Sequence, residues 1–367
     1  MTESNKLQNS DDLFVKQTDS IRDAMTRIDR SARGIVFVVD EDRHLENTVT
    51  DGDIRRAILA GLELDASIAK LLRTGMKATG RRPVTASSES TREEQLAIMA
   101  KMSVRQLPLI DGHGKVAGVA VFKAEDATER KVEELPVQAV IMAGGFGTRL
   151  RPFTDNLPKP MLPIGGRPLM ERTIERLHQS GINRINITTH YLPEKITEHF
   201  GTGKRFGVEL NYVSEDEPLG TAGSLGLVGD VEEPLLVMNG DILTRVDYRE
   251  LLDFHRQNKA DLTVGVRQYD FKVPYGVVEA SDGIVRKLRE KPSYNFLVNA
   301  GIYLLEPSVR KLIPPDVRFD MTDLIDQLLA NDGVVASFPI VEYWVDIGQH
   351  DDLKRAQNDM NEMRWAS

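Results

Sequence analysis

The chain has 367 residues, of which 41% are hydrophobic and 28% charged, with 47 basic against 56 acidic side chains and a formal net charge of -9. A single core ordinarily organises about 100–200 residues, so the length predicts two domains, and 28 Gly with 17 Pro exclude a collagenous or low-complexity chain. The acidic balance excludes nucleic acid as a partner, because phosphate neutralisation demands a basic excess; no apolar run approaches the ~18 residues that span a bilayer; and the lack of cysteine removes disulfides, thiolate metal sites and thiol nucleophiles together.

The polar, acidic amino terminus (MTESNKLQNSDD) does not read as a signal peptide, and the expected location is cytoplasmic. Strand-like runs follow at Gly34–Asp40 and His44–Thr50, then a helix from Ile54. A similar order recurs as a helix over Arg92–Met102, a strand at Gln106–Asp111, a Gly-rich turn and a strand at Lys115–Phe122. Recurrence at ~50–65 residues predicts an internal repeat of small α/β units that must stack to bury their faces. A change of pattern near Leu135-Pro136 divides the chain into residues 1–135 and 136–367.

The first segment resembles a cystathionine-β-synthase (CBS) domain pair, most fully in shape through VRQLPLIDGHGKVAGVAVF. The Thr50-x-x-Asp53 element matches the family's ligand motif, and the resemblance implies a regulatory purine nucleotide whose ribose is held by Asp53. In the second copy the equivalent positions are Phe122 and Glu125, a departure that leaves one nucleotide site rather than two. By its chemistry alone, Asp53 is equally well placed to cap a helix beginning at Ile54.

After Pro136 the pattern becomes strand, loop and helix at regular spacing, which predicts a Rossmann-like, mostly parallel α/β sheet covered on both faces. Gln138–Ala143 is a buried strand; Met170, Ile174 and Leu177 mark an amphipathic helix ending before Gly181. Arg184–Thr189 and Leu235–Asn239 are further strands, and Tyr248–Asn258 a further helix. Ligands of such sheets bind beyond the carboxyl ends of the strands.

Two groups of residues stand at those ends. Gly144, Gly145, Gly147 and Thr148 form a loop whose backbone N–H groups can approach an anion, and Arg149 adds a guanidinium fork for phosphate oxygens. From Gly144 to Arg167 the only acid among four cations is Asp155, a basic stretch inside an acidic chain. Asn239-Gly240-Asp241 ends the strand LLVMN. Taken singly, Asp241 and the distant Asp346 are each possible cap or turn residues.

The run GGFGTRLRPFTDNLPKPMLPIGGRPLM resembles the signature of sugar-1-phosphate nucleotidyltransferases, and nearly all of 138–358 follows that family's order of motifs. The resemblance implies that Arg149, Lys159 and Asp241 are catalytic and that Asp241 and Asp346 together hold Mg²⁺, which takes oxygen ligands; Lys159, between two prolines, reads as a surface lysine. It implies nucleotide contacts at Gly144, Gly145, Gly147, Thr148, Gly220 and Thr221, the last two in EPLGTAG. It also implies sugar-phosphate contacts at Gly276, Glu290, Lys291 and Asn299. Glu215 occupies the position of the base reader; a carboxylate accepts only, so it suits the paired N–H donors of guanine. A uridylyl- or thymidylyltransferase is the alternative.

The reaction implied is transfer of a nucleotidyl group from an NTP, favoured as GTP, to a hexose- or hexosamine-1-phosphate. The order of a CBS pair before such a domain resembles the guanylyltransferases of nonulosonate pathways, which act on glucosamine-1-phosphate; a mannose-1-phosphate guanylyltransferase and a non-catalytic nucleotide-sugar sensor are the other readings. A homo-oligomer is expected, with the CBS pair setting its contacts.

Overall fold

The computed structural model describes residues 10–31, 33–73, 83–102, 104, 106–121, 134–229, 231–314 and 316–362. The chain divides into two compact units, Met1–Lys131 and Val132–Ser367. Phe122 and Glu125 lie outside the described residues.

The first unit contains β1 (Phe14–Val15), α1 (Ile21–Ser31), β2 (Ile35–Val39), β3 (Leu45–Thr50), α2 (Asp51–Leu59), α3 (Ile68–Leu72), β4 (Ala86–Ser87), α4 (Arg92–Met102), β5 (Gln106–Ile110) and β6 (Val116–Val121). Its two sheets, β1-β2-β3 and β4-β5-β6, each join a short parallel pair to an antiparallel hairpin. The hairpin turns repeat atom for atom. Asp40 Oδ1 accepts from the amides of Asp42 and His44, each at 2.9 Å, and Asp111 Oδ1 accepts from those of His113 and Lys115, each at 2.9 Å. These bonds favour the ionised form and hold both carboxyls below the usual range. The step from Asp40 to Asp111 is longer than the ~50–65 residues expected from the pattern. Neither half closes alone: Phe14, Ile35 and Phe37 share a buried cluster with Val116 and Val119.

The second unit is built on a seven-stranded sheet ordered β11-β10-β7-β12-β17-β14-β18. Its strands are β7 (Gln138–Met142), β10 (Arg184–Thr189), β11 (Glu209–Ser214), β12 (Leu235–Asn239), β14 (Leu262–Lys272), β17 (Ser293–Leu305) and β18 (Val335–Pro339). Only β17 runs against the others. Small ribbons pair β8 (Pro163–Ile164) with β9 (Arg167–Pro168), β13 (Ile242–Thr244) with β19 (Trp344–Asp346), and β15 (Val277–Ser281) with β16 (Ile284–Arg289). The helices are α5 (Leu169–Gln179), α6 (Pro193–Phe200), α7 (Gly220–Gly223), α8 (Tyr248–Gln257), α9 (Pro307–Arg310), α10 (Met321–Ala330) and α11 (His350–Glu362).

Alternation along β7 shows how both faces are covered. Ala139 and Ile141 join the core containing Met170, Ile174 and Leu177 of α5 and Leu251 of α8, whereas Val140 joins the core containing Met321, Leu324 and Leu328 of α10. The chain winds from β7 outward through β10 to β11, then returns to place β12 on the other side of β7. The topological switch point therefore lies between β7 and β12, where ligands of such sheets bind in a crevice beyond the carboxyl ends of the strands. Among the described residues no helix is long and apolar enough to cross a membrane.

Candidate active site

Gly240 follows β12 where there is no room for a side chain. Its amide donates to Met142 O at 2.8 Å, and an added β-carbon would stand 2.7 Å from that same oxygen. The turn therefore stays against the end of β7 and projects Asp241 into the crevice. Gly301, at φ +66°, makes a similar approach from β17, where a β-carbon would lie 2.5 Å from Asn239 Nδ2.

Asp346 arrives through the ribbon. Ile242 pairs with Asp346, and the Ile347 amide donates to Asp241 O at 3.0 Å, so two residues more than a hundred positions apart become neighbours. Trp344 Nε1 donates to Ala300 O at 2.9 Å and ties the ribbon to β17. Burial, followed by the Asp241 carboxylate, pushes the Asp346 pKa up, while Lys159 and Arg149 act in the opposite direction. Lys159 forms an ion pair with Asp241 Oδ2, whereas the buried Asp241 Oδ1 has no hydrogen-bond partner. Leaving a buried acceptor unsatisfied costs about 1–3 kcal/mol.

Lys159 departs from the sequence expectation, since its side chain is only 12% exposed rather than a surface charge. It lies in a single 3-10 turn with Pro160 and Met161, which are buried and anchor it at the crevice. The glycine loop is braced beside it: Gly147, at φ +62°, accepts from Thr154 Oγ1 at 2.8 Å, and a β-carbon there would crowd Thr154 Cγ2 at 2.9 Å and Lys159 Cβ at 3.2 Å. Gly145 has open space, and Thr148 and Arg149 are exposed. Phe146 stands edge-on to His190, with ring centroids 5.4 Å apart, and packs on Tyr191, whose hydroxyl donates to Asp155 O at 2.8 Å.

Glu215 also departs from expectation. It is 8% exposed, Oε2 accepts from the Leu219 amide at 3.1 Å, and a β-carbon on Gly144 would stand 2.9 Å from Oε1. The carboxylate holds the Leu219 amide and lies close to Gly144, and burial raises its pKa.

Gly276 and Glu290 come together, with a β-carbon on the glycine reaching within 3.2 Å of Glu290 Oε2. Lys291 is exposed at φ +42°, and the Val273 amide donates to Pro292 O at 3.0 Å. Asn299 donates to Tyr303 Oη at 2.8 Å and accepts from the Gly301 amide at 2.9 Å. Through Gly301 the Asn299 segment reaches Asn239; no described contact joins the Gly276–Glu290 pair to the two aspartates.

Thr50 and Asp53 lie in the first unit. The helix starts at Asp51 and not Ile54, with Thr50 as its cap and Asp53 in its first turn. Asp53 is buried, Oδ2 accepts from the Thr50 amide at 2.9 Å, and Oδ1 accepts from Arg56 at 2.7 Å. No local motif marked His190 or Tyr191, whose contacts with Phe146 and Asp155 join residues distant in sequence.

The raised Glu215 pKa gives a signed expectation. Its contribution to stability is fully present below the unfolded carboxyl pKa and is lost as pH rises through the folded one. Glu215→Gln is therefore expected to raise the melting temperature relative to wild type at pH 8 but not at pH 4. Thermal denaturation across that range checks this; an effect independent of pH contradicts it.

Comparison with known proteins matches residues 138–363 to the nucleotidyl transferase family and residues 6–60 and 65–121 to CBS domains. A mannose-1-phosphate guanylyltransferase of Mycobacterium tuberculosis is 34% identical over 233 residues, covering 61% of this chain and 64% of that relative. A mannose-1-phosphate guanyltransferase of Schizosaccharomyces pombe is 34% identical over 227 residues, 59% of this chain and 62% of its own length. The chain thus spans a little under two-thirds of the length of these relatives. A crystal structure of a putative glucose-1-phosphate thymidylyltransferase from Bacillus anthracis is 27% identical, with a TM-score of 0.49 over 63% of this chain and 98% of that one. The chain belongs to the nucleotidyl transferase family, with a CBS domain pair preceding the family domain.

Proposed function

We propose that the protein transfers a guanylyl group from GTP to a hexose- or hexosamine-1-phosphate, giving a GDP-sugar and pyrophosphate. The observation carrying this reading is the convergence of Lys159, Asp241 and Asp346 on the crevice where β7 and β12 part. The guanylyltransferase relatives support the choice of base and of a phosphorylated hexose. A cytoplasmic location suits a reaction that draws on nucleoside triphosphates.

A sugar-phosphate oxygen attacks the α-phosphorus of GTP, forming one P–O bond while the α–β P–O bond breaks and pyrophosphate leaves. A phosphate monoester has its second pKa near ~6, so the nucleophile is already ionised and needs no general base. The amides of Gly144, Gly145, Gly147 and Thr148 follow the triphosphate, and Arg149 and Lys159 place cations where negative charge grows. Gly276, Glu290, Lys291 and Asn299 receive the sugar phosphate.

Nucleotidyltransferases of this family generally use a divalent metal. The residues here fit one: Asp241 Oδ1 is buried without a partner, and Asp346 is pressed by the neighbouring carboxylate. Among the described residues no group of three or more His, Cys, Asp or Glu could hold an ion, so substrate phosphates must supply the remaining oxygens, as Mg²⁺ commonly requires. Bound Mg²⁺ would neutralise phosphate charge in the transition state.

Pyrophosphate release measured with GTP, UTP, dTTP, ATP and CTP against mannose-, glucose- and glucosamine-1-phosphate is expected to show turnover with GTP. Asp241→Asn is expected to lower kcat by roughly 100-fold or more with its melting temperature preserved. Preference for UTP or dTTP overturns the base assignment, and an active Asp241→Asn overturns the metal assignment.

The CBS match and the Thr50–Asp53 element support a regulatory purine nucleotide on the first unit. AMP added to the full-length protein at fixed GTP is expected to shift the rate roughly fivefold or more, and Asp53→Ala to abolish the response. An unchanged rate, or the same response in the variant, contradicts it.

A further inference from the structure

The turn Gly220–Gly223 invites reading as an anion site, with a short helix opening on glycine. The amides of Thr221, Ala222 and Gly223 are already committed. A segment about a hundred residues later in the chain lies along the turn: the Phe319 amide donates to Leu219 O at 2.8 Å, and Phe319 O accepts from the amides of Ala222 at 2.9 Å and Gly223 at 2.8 Å. Asp320 Oδ1 accepts from the Thr221 amide at 2.9 Å and from Thr221 Oγ1 at 3.3 Å, while Thr221 Oγ1 accepts from the Met321 amide at 2.9 Å.

The amides of Thr221, Ala222 and Gly223, which at an open helix end could face an anion, are thus satisfied within the protein. Thr221 spends both its amide and its hydroxyl on the fold.

The glycines record how close the two segments come. Gly220 has φ +81°, and a β-carbon there would lie 2.6 Å from Asp320 Oδ1 and 2.9 Å from Phe319 O; one on Gly223 would lie 2.8 Å from Val317 O. The clamping segment is itself anchored. Asp320 leads into α10, its amide donates to Asp323 Oδ2 at 2.9 Å, and Met321, Leu324 and Leu328 are buried in the core beneath the sheet. The loop is also held by Glu215, whose Oε2 accepts from the Leu219 amide at 3.1 Å.

We propose that Asp320 is a positioning residue for the nucleotide: it locks the Pro218–Gly223 loop from the far side, so that the nucleotide meets a preformed wall. The proposal rests on the reading that this loop faces the bound NTP. A loop ordered beforehand loses little conformational freedom on binding, so release of the lock appears as weakened nucleotide affinity with the chemical step retained.

The test uses the full-length protein and three variants. Asp320→Ala removes the acceptor; Asp320→Asn retains an oxygen that can accept from the Thr221 amide; Asp320→Ser can still cap α10 but is too short to reach Thr221. Titration calorimetry with Mg²⁺-GTP and initial rates against each substrate are measured beside melting temperatures. Alanine and serine are expected to weaken GTP binding and raise its KM roughly 10-fold, leaving kcat and the KM for sugar-1-phosphate near wild type, while asparagine restores most of the affinity. Serine is expected to melt near wild type, which separates the lock from the helix cap. Wild-type GTP affinity in the alanine and serine variants, or an equal rise in both KM values, overturns the positioning role alone. A wild-type protein that binds no nucleoside triphosphate overturns the reading of the loop on which it rests.

Discussion

Two carboxylates and one ammonium share the crevice between β7 and β12, and this charge balance governs the site. Lys159 pairs with one oxygen of Asp241; the other has no partner, and Asp346 is pressed by the Asp241 carboxylate. Protein interiors ordinarily satisfy such groups, so the unpartnered oxygen of Asp241 beside a second carboxylate supports the proposed cation and its anionic cargo at this place. The acidic chain can therefore host a polyanion. Its overall charge governs what it repels in bulk, whereas the crevice presents Arg149 and Lys159 beside the carboxylates.

Close backbone approach makes that arrangement possible. Gly240 lies on the end of β7, Gly301 lies on Asn239, and Gly147 fits between Thr154 and Lys159; each position excludes a β-carbon by distance. These contacts bring three chain segments to one point. The ribbon of β13 and β19 then sets Asp346 beside Asp241 through backbone pairing, before any side-chain interaction is considered. The same economy appears in the Pro218–Gly223 loop, held by Glu215 through the Leu219 amide and by Asp320 through the Thr221 amide.

Much of this was legible in the sequence because it was local. The glycine run after a buried strand, the Asn-Gly-Asp turn and the apolar spacing of Met170, Ile174 and Leu177 depend on neighbours a few residues away, and the structure places them on the expected loops and helix. Burial was harder to read. Lys159 looked like a surface charge because nothing in Pro-Lys-Pro reveals that the prolines sink into the core and draw the lysine with them. The burial of Glu215 was not legible because the Leu219 amide meets its carboxylate only once the loop has folded. Asp320 carried no signal at all, since its partner Thr221 is 99 residues away. Helix chemistry misled at Thr50–Asp53, where a reciprocal capping box begins the helix earlier than a single aspartate cap would.

The central claim, that Asp241 and Asp346 jointly hold a divalent cation against the nucleotide, is tested most directly by electron paramagnetic resonance titration of the full-length protein with Mn²⁺ and a non-hydrolysable GTP analogue. The account predicts one tight Mn²⁺ site that requires the nucleotide and is lost in both Asp241→Asn and Asp346→Asn. Tight, stoichiometric Mn²⁺ binding retained in either variant would contradict it.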